Sequence, residues 1–207
     1  HIVALQAVST VPEGLSQAHE LSKALPDYDH VWFEPAMERI DHAKGSAFLA
    51  RIPLPRRHTR ALSLRAGTDD TNRRKILRVQ CDMANGIDVF NAHFSWVTDQ
   101  ATDNLQEALP FLAEVRGPAL LMGDFNFKPD SPLHEQLRSG GWLDVWAAMR
   151  PADPGYTFEA DSPSQRIDYV YANPLLAARV KSIDCVGKQG GTPPRLSDHL
   201  GLMVTID

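Results

Sequence analysis

At 207 residues and a net charge of −5, the chain is long enough for one domain with a sizeable core. It is too acidic to hold nucleic acid by bulk electrostatics, although a local basic patch is compatible with that charge. Two cysteines, Cys81 and Cys185, exclude a disulfide framework and a cysteine-type metal cluster, and no apolar run reaches membrane-spanning length.

Residues 2–8 are apolar and read as a strand. The chain enters that strand from His1 with no initiator Met and no leader, so the expectation is a missing upstream piece and a cytoplasmic protein. A helix follows, with Leu15, Ala18, Leu21 or Ser22, and Leu25 on one face and Pro26 ending it. Residues 28–34, aromatic and β-branched, predict a strand. Residues 35–44 read as a loop, and 46–50 as a short strand.

Residues 56–75 are the least regular part. They hold Arg56, Arg57, Arg60, Arg65, Arg73, Arg74 and Lys75, and read as a solvated loop or as a basic rim facing phosphate. Leu77, Val79, Cys81 and Met83 then alternate with polar residues, the period of a half-buried strand. Asn85-Gly86 predicts a tight hairpin turn. The returning strand, 87–94, carries Asn91 and His93 on the side of Ile87 and Val89.

Residues 99–115 are helical by composition, with Pro110 expected to kink or split the helix. After Gly117-Pro118 comes Leu120-Leu121-Met122-Gly123-Asp124-Phe125-Asn126, a buried strand ending in an acid and an amide. Asp124 and Asn126 point the same way if the chain stays extended there. Ser131-Pro132 opens a helix that Gly140-Gly141 ends. Residues 142–149 are ambiguous and 155–158 extended. In 166–171, Ile167, Tyr169 and Tyr171 face one way while Arg166, Asp168 and Val170 face the other. Residues 180–186 predict a strand, 187–194 a flexible loop, and Ser197-Asp198-His199 leads into the last strand, 200–206. No linker divides the chain, so residues 1–207 read as a single domain of two sheets with helices outside.

Four polar pairs thus sit at strand ends or on strand faces: Asn91 with His93, Asp124 with Asn126, Arg166 with Asp168, and Asp198 with His199. Each alone has an ordinary structural explanation, such as a strand-end turn. Together they form the inventory of phosphoryl hydrolysis, which needs a group to activate water, donors to offset phosphate charge, and usually a divalent metal on oxygen ligands.

The motifs Asn91-Ala92-His93-Phe94, Gly123-Asp124-Phe125-Asn126, Arg166-Ile167-Asp168-Tyr169 and Ser197-Asp198-His199, in this order, resemble those of the endonuclease/exonuclease/phosphatase superfamily, the deoxyribonuclease-I-like proteins. Ile2-Val3-Ala4-Leu5-Gln6 is similar to the family's second strand, and residues 45–53 to a strand that a glycine opens and Arg-x-Pro closes. The resemblance implies an α+β fold, a four-layer αββα sandwich of two mostly antiparallel sheets, here lacking the family's first strand. It implies a metal-dependent phosphodiesterase, nuclease or phosphatase. Asp124 would orient and deprotonate the attacking water. Asn126 would hold water or phosphate, with Asn91 a second substrate contact. His199 would touch the phosphate, its ring fixed and charged by Asp168. His93 would be a second donor or acid, and Asp198 a ligand of Mg²⁺ or Mn²⁺.

The family's metal-binding Glu, just after Leu-Gln of its second strand, is Ala7 here. Three readings stand open: a member that binds phosphorylated ligands without cutting them, altered or shortened material from an active lineage, or another carboxylate, Glu13 or Glu34, in its place. The second is preferred. The absence of Pro-Asn after His93 argues against the abasic-site endonucleases. The expected substrate is a nucleic acid, a lipid or a small phosphodiester, with no obligate protein partner. Phe94, Trp96 and Phe125 are aromatic candidates near the site, equally explained by packing.

Overall fold

The computed structural model describes residues 1–10, 14–82, 86–187 and 197–207. Glu13, Met83, Asn85 and most of the 187–194 loop lie outside the described residues. At its centre is a six-stranded sheet made of β4 (Arg56–Leu62), β5 (Arg74–Cys81), β6 (Ile87–His93), β7 (Ala119–Asp124), β8 (Leu143–Asp144) and β9 (Asp168–Ala172), in the order β4-β5-β6-β7-β9-β8. Its pairs are antiparallel except β6 with β7. A parallel pair needs a crossover, supplied by helix α2 (Thr98–Leu112). Buried residues run the length of β6 as far as Ala92, as expected of a strand covered on both faces.

The alternation read along 77–81 holds. Leu77, Val79, Cys81, Ile87 and Val89 face a second β layer, while Ile76, Phe90, Ala92 and Leu121 face helices. That second layer contains β1 (Ile2–Ser9), β2 (His30–Glu38) and β3 (Ala43–Ala50), in the order β1-β3-β2, beside a separate pair, β10 (Val180–Val186) and β11 (Gly201–Ile206). No ladder joins the two groups among the described residues. Trp32, Phe48 and Ala50 from one group and Ile183 from the other pack on Leu120 and Val170 of the central sheet. Outside β1 and β3 lies α1 (Gln17–Ala24), with Ala18 against Val8, Ala47 and Leu49. The opposite outer layer is α2 with α3 (Pro132–Ser139), whose Leu105, Phe111, Leu133 and Leu137 cover Phe90, Phe94 and Tyr171. Two short helices, α4 (Val145–Met149) and α5 (Pro174–Ala177), close the far edge. The layers are αββα, and among the described residues no helix is long and apolar enough to cross a membrane.

Several expectations need correcting. Residues 56–62 form a strand, not a loop. It lies at the sheet's edge with Arg56 to Ala61 exposed, so neither face alternates and the charges read as solvated chain. The predicted 35–44 loop is largely strand, because β2 runs through Pro35 with a shift of register there. Pro110 neither kinks nor splits α2. It sits in the last turn, on the exposed side of the helix. On α1 only Ala18 is buried, and Leu15, Leu21 and Leu25 are exposed. The ambiguous 142–149 segment is β8 followed by α4.

Candidate functional site

Strand register builds the site. His93 pairs with Asp124 across β6 and β7, and Asp124 with Asp168 across β7 and β9. Three neighbouring strands therefore place an imidazole and two carboxylates in one row, on the face turned toward the second layer. Gly123 makes this possible: a Cβ there would lie 1.9 Å from the Ala92 carbonyl oxygen, and its φ of +145° is foreign to L residues. Phe125 pins the turn from below. It is fully buried and meets Phe94, Tyr169 and Tyr171 edge to face at 5.2, 5.9 and 5.4 Å. Asn126 follows with a φ of 54°, a left-handed conformation that Asn tolerates. Its backbone N–H donates to Asp124 Oδ1 at 3.0 Å and its Nδ2 to the Phe94 carbonyl at 3.0 Å.

His199 reaches the row from the other layer, just ahead of β11. Residues 157–160 hold it there: Leu200 N–H donates to the Thr157 carbonyl, Ala160 N–H to the Asp198 carbonyl, and the Phe158 ring lies 4.9 Å from the imidazole. His199 Nδ1 is bonded to Asp168 Oδ2 at 2.8 Å, and its Nε2 lies 4.0 Å from Asp124 Oδ2. His93 Nε2 lies 3.4 Å from the same Asp124 oxygen.

The charges are set by burial and neighbours. Burial, then the Asp168 charge, pushes Asp124 up to about 7 against the opposing pull of His199. Burial by itself disfavours an imidazolium at His199, but the bond and charge of Asp168, with Asp124 and Asp198, outweigh it and hold the ring at about 9. Burial, then the Arg74 charge, depresses His93 to about 3. At neutral pH the row presents a neutral imidazole, a carboxyl poised near its midpoint, and a charged imidazolium.

The structure thus brings together His93, Asp124, Asn126, Asp168 and His199. Two expected residues stand differently. Asn91 is fully enclosed, its Nδ2 donating to the Leu5 and Ala47 carbonyls at 3.0 Å each and its Oδ1 accepting from Gln6 Nε2 at 2.7 Å. Its amide ties β6 to β1 and β3, which is a different task from the substrate contact expected of it. Asp198 is exposed and lies outside the metal-capable group, which among the described residues is Asp124, Asp168 and His199, with ligand atoms within 4.8 Å of one another. Phe94 and Phe125 are core residues, whereas Trp96 is exposed.

The oxygen donors fit a hard divalent cation, since a buried carboxylate crowded by a half-buried one gains from one. His199 joins such a set only after losing its proton. Ala7 lies in the irregular stretch of β1 between Leu5 and Val8, with a φ of 54°, and is exposed; its methyl offers no ligand. Glu34, one suggested stand-in, is engaged by Lys75 Nζ at 2.5 Å.

Comparisons with known proteins bear on the family and the fold. The model of the Endonuclease/Exonuclease/phosphatase family matches residues 1–199, and the chain belongs to that family of phosphoesterases and nucleases. No curated protein matches it. Among solved structures, a family protein from Leptotrichia buccalis superposes with a TM-score of 0.78 at 19% identity, covering 100% of this chain and 86% of that one. A 3′ phosphatase from Neisseria, bound to a product DNA hairpin, gives 0.71 at 18%, covering 100% and 88%. A mannosyl-6-phosphatase from Bacteroides thetaiotaomicron gives 0.73 at 20%, covering 92% and 81%. Identities this low speak for the shared fold.

Proposed function

We propose that the chain hydrolyses phosphoesters with the aid of Mg²⁺ or Mn²⁺. The observation that carries this reading is the row of His93, Asp124 and Asp168 faced by a charged His199. A carboxyl held near neutrality takes a proton from water efficiently, so Asp124 is the base. Asn126, anchored to Phe94, orients that water or a phosphate oxygen. His199 donates from Nε2 to a phosphate oxygen, because Asp168 occupies Nδ1 and keeps the ring charged. His93, neutral, donates a hydrogen bond and does not serve as an imidazolium acid. A divalent ion, held on the Asp168 side of the group so that Asp124 stays free as base, would offset phosphate charge.

The substrate class is the phosphoester of a nucleic acid, a lipid or a small molecule. The 3′ phosphatase and the mannosyl-6-phosphatase on this fold lend support to both the nucleic-acid and the small-molecule ends of that range.

One observation favours a second reading, a module that binds phosphorylated ligands without turnover: the residue standing where the family carries a metal-binding Glu is Ala7. Because Ala7 is exposed, a Glu fits there. The test is a panel of phosphodiesters, phosphomonoesters, DNA and sphingomyelin with Mg²⁺ or Mn²⁺, run on the chain and on Ala7→Glu. Turnover that rises with Glu supports the enzyme reading. Salt-dependent binding with no turnover in either protein supports the module.

A further inference from the structure

We propose that Tyr169 is a positioning residue of the site, its hydroxyl stapling together the two chain segments that carry Asn126 and Asp168. The proposal rests on the phosphoester reading of the site and adds to it a residue that meets no substrate. The Tyr169 ring lies on the helix-facing side of the central sheet, away from the row of His93, Asp124 and Asp168.

The need for a staple begins where the ladder ends. β7 and β9 pair as far as Asp124 with Asp168. One more backbone bond follows, from Phe125 N–H to the Ile167 carbonyl at 2.9 Å. Asn126 then turns the chain with its φ of 54°, and the regular pairing stops. Just beyond, the buried carbonyls of Phe127 and Arg166 converge. The Tyr169 hydroxyl lies 2.9 Å from the first and 3.0 Å from the second. Two carbonyls aimed at one spot repel each other, and a hydroxyl proton shared between them reverses that. Phe127 is joined directly to Asn126, and Arg166 lies two residues before Asp168. One shared proton therefore sets the spacing of the water-orienting amide and of the carboxylate that holds His199.

The hydroxyl has little room to turn elsewhere, because Tyr169 is 2% exposed and its ring is confined. Phe125 meets the ring edge to face at 5.9 Å, Tyr171 stacks on it at 5.3 Å, and the Arg166 guanidinium covers it at 4.9 Å. That guanidinium is itself held by Asp144 at 2.8 Å. A buried tyrosine usually finds a partner for its hydroxyl, whatever its task, and Tyr171 shows the purely structural case. It is just as deeply buried and is the other half of the stack, but its hydroxyl is bonded to His134 Nδ1 of α3 at 2.8 Å. The two residues match in ring and in depth and differ in where the hydroxyl goes.

The test compares Tyr169→Phe with Tyr171→Phe, each made in the full chain and in Ala7→Glu. Hydrolysis of a chromogenic phosphodiester and phosphomonoester is followed in Mn²⁺, and amide exchange by NMR. Tyr169→Phe should lower kcat about 10-fold, since small errors of placement are costly to a held reaction, and should leave KM unchanged. It should also speed exchange of the Phe125 N–H, whose bond to Ile167 spans the seam, by more than the loss of global stability accounts for. Tyr171→Phe should do neither. In the wild-type chain, where folding is not in question, the Tyr169 hydroxyl proton should be protected and show cross-peaks to the α-protons of Phe127 and Arg166. A wild-type hydroxyl that exchanges freely with water overturns the staple. Equal loss of kcat in the two variants, an unchanged kcat in Tyr169→Phe, or exchange at Phe125 no faster than elsewhere overturns Tyr169 alone and leaves the site reading in place. Absence of turnover in both the chain and Ala7→Glu overturns the phosphoester reading and the proposal with it.

Discussion

Two histidines that look alike in the sequence carry opposite charge states, and the difference comes from their partners. His199 has Asp168 on one ring nitrogen and two further carboxylates nearby, whereas His93 is enclosed with Arg74 close by. Proton NMR of the metal-free chain should show His199 titrating near pH 9 and His93 showing no titration above about pH 4. A His199 midpoint at or below 6.5 would remove the charged donor from the account. Asp70 makes a separate prediction. Burial opposes its charge, but the bonds from Arg74, Ser95 and Asn72 prevail and hold it at about 2. A carboxylate depressed in the folded state stabilises above its unfolded pKa and loses that contribution as pH falls through the folded one. Urea unfolding should therefore find Asp70→Asn less stable than wild type by about 2 kcal/mol at pH 6, with the gap closing between about pH 4 and pH 2. At this scale the sequence was informative about chemistry and poor about depth. Asp124, Asp168 and His199 were legible as strand-end polar groups. Asn91 was placed on the correct face, but alternation does not report that two strands of another layer close over it.

The central element is the turn after β7. Its sequence demands follow from contact, not from propensity. Gly123 lies against the Ala92 carbonyl, so Gly123→Ala should lower stability by at least about 2 kcal/mol through overpacking in thermal unfolding. Phe125→Ala should cost about 3–5 kcal/mol and should also blunt activity, because the ring seats Asp124 and Asn126. Equal stability of either variant would mean that the turn is held some other way. The strand itself was legible, as a short apolar run ended by Gly-Asp-Phe-Asn. The edge strand β4 was not. An edge strand pairs on one side, need not bury either face, and here carries Arg56, Arg57 and Arg60, so it offers no alternation to read. Pro110 misled because what a proline costs a helix depends on its place in it, and this one falls in the last turn on the exposed side.

Over the whole molecule, the two β layers share one apolar interior, with Phe48 and Ile183 from different groups of the second layer packed on the same central strands. The expectation of a single domain then predicts one cooperative unfolding transition, coincident by near- and far-ultraviolet circular dichroism; two separated transitions would divide the chain. The layer order αββα was legible from the succession of elements and from the resemblance. That the described strands of the second layer fall into two groups was not, because pairing between distant segments leaves no local trace. Site and fold meet at the rim of these layers, where β6, β7 and β9 supply the row and the segment before β11 supplies His199. The central claim is that this rim hydrolyses phosphoesters through Asp124. Its most direct test is the rate of hydrolysis of a chromogenic phosphodiester and phosphomonoester in Mn²⁺ by Ala7→Glu and by Ala7→Glu carrying Asp124→Asn. The account predicts turnover in the first and a loss of at least ~100-fold in the second with folding intact. Equal turnover in the two proteins would contradict it.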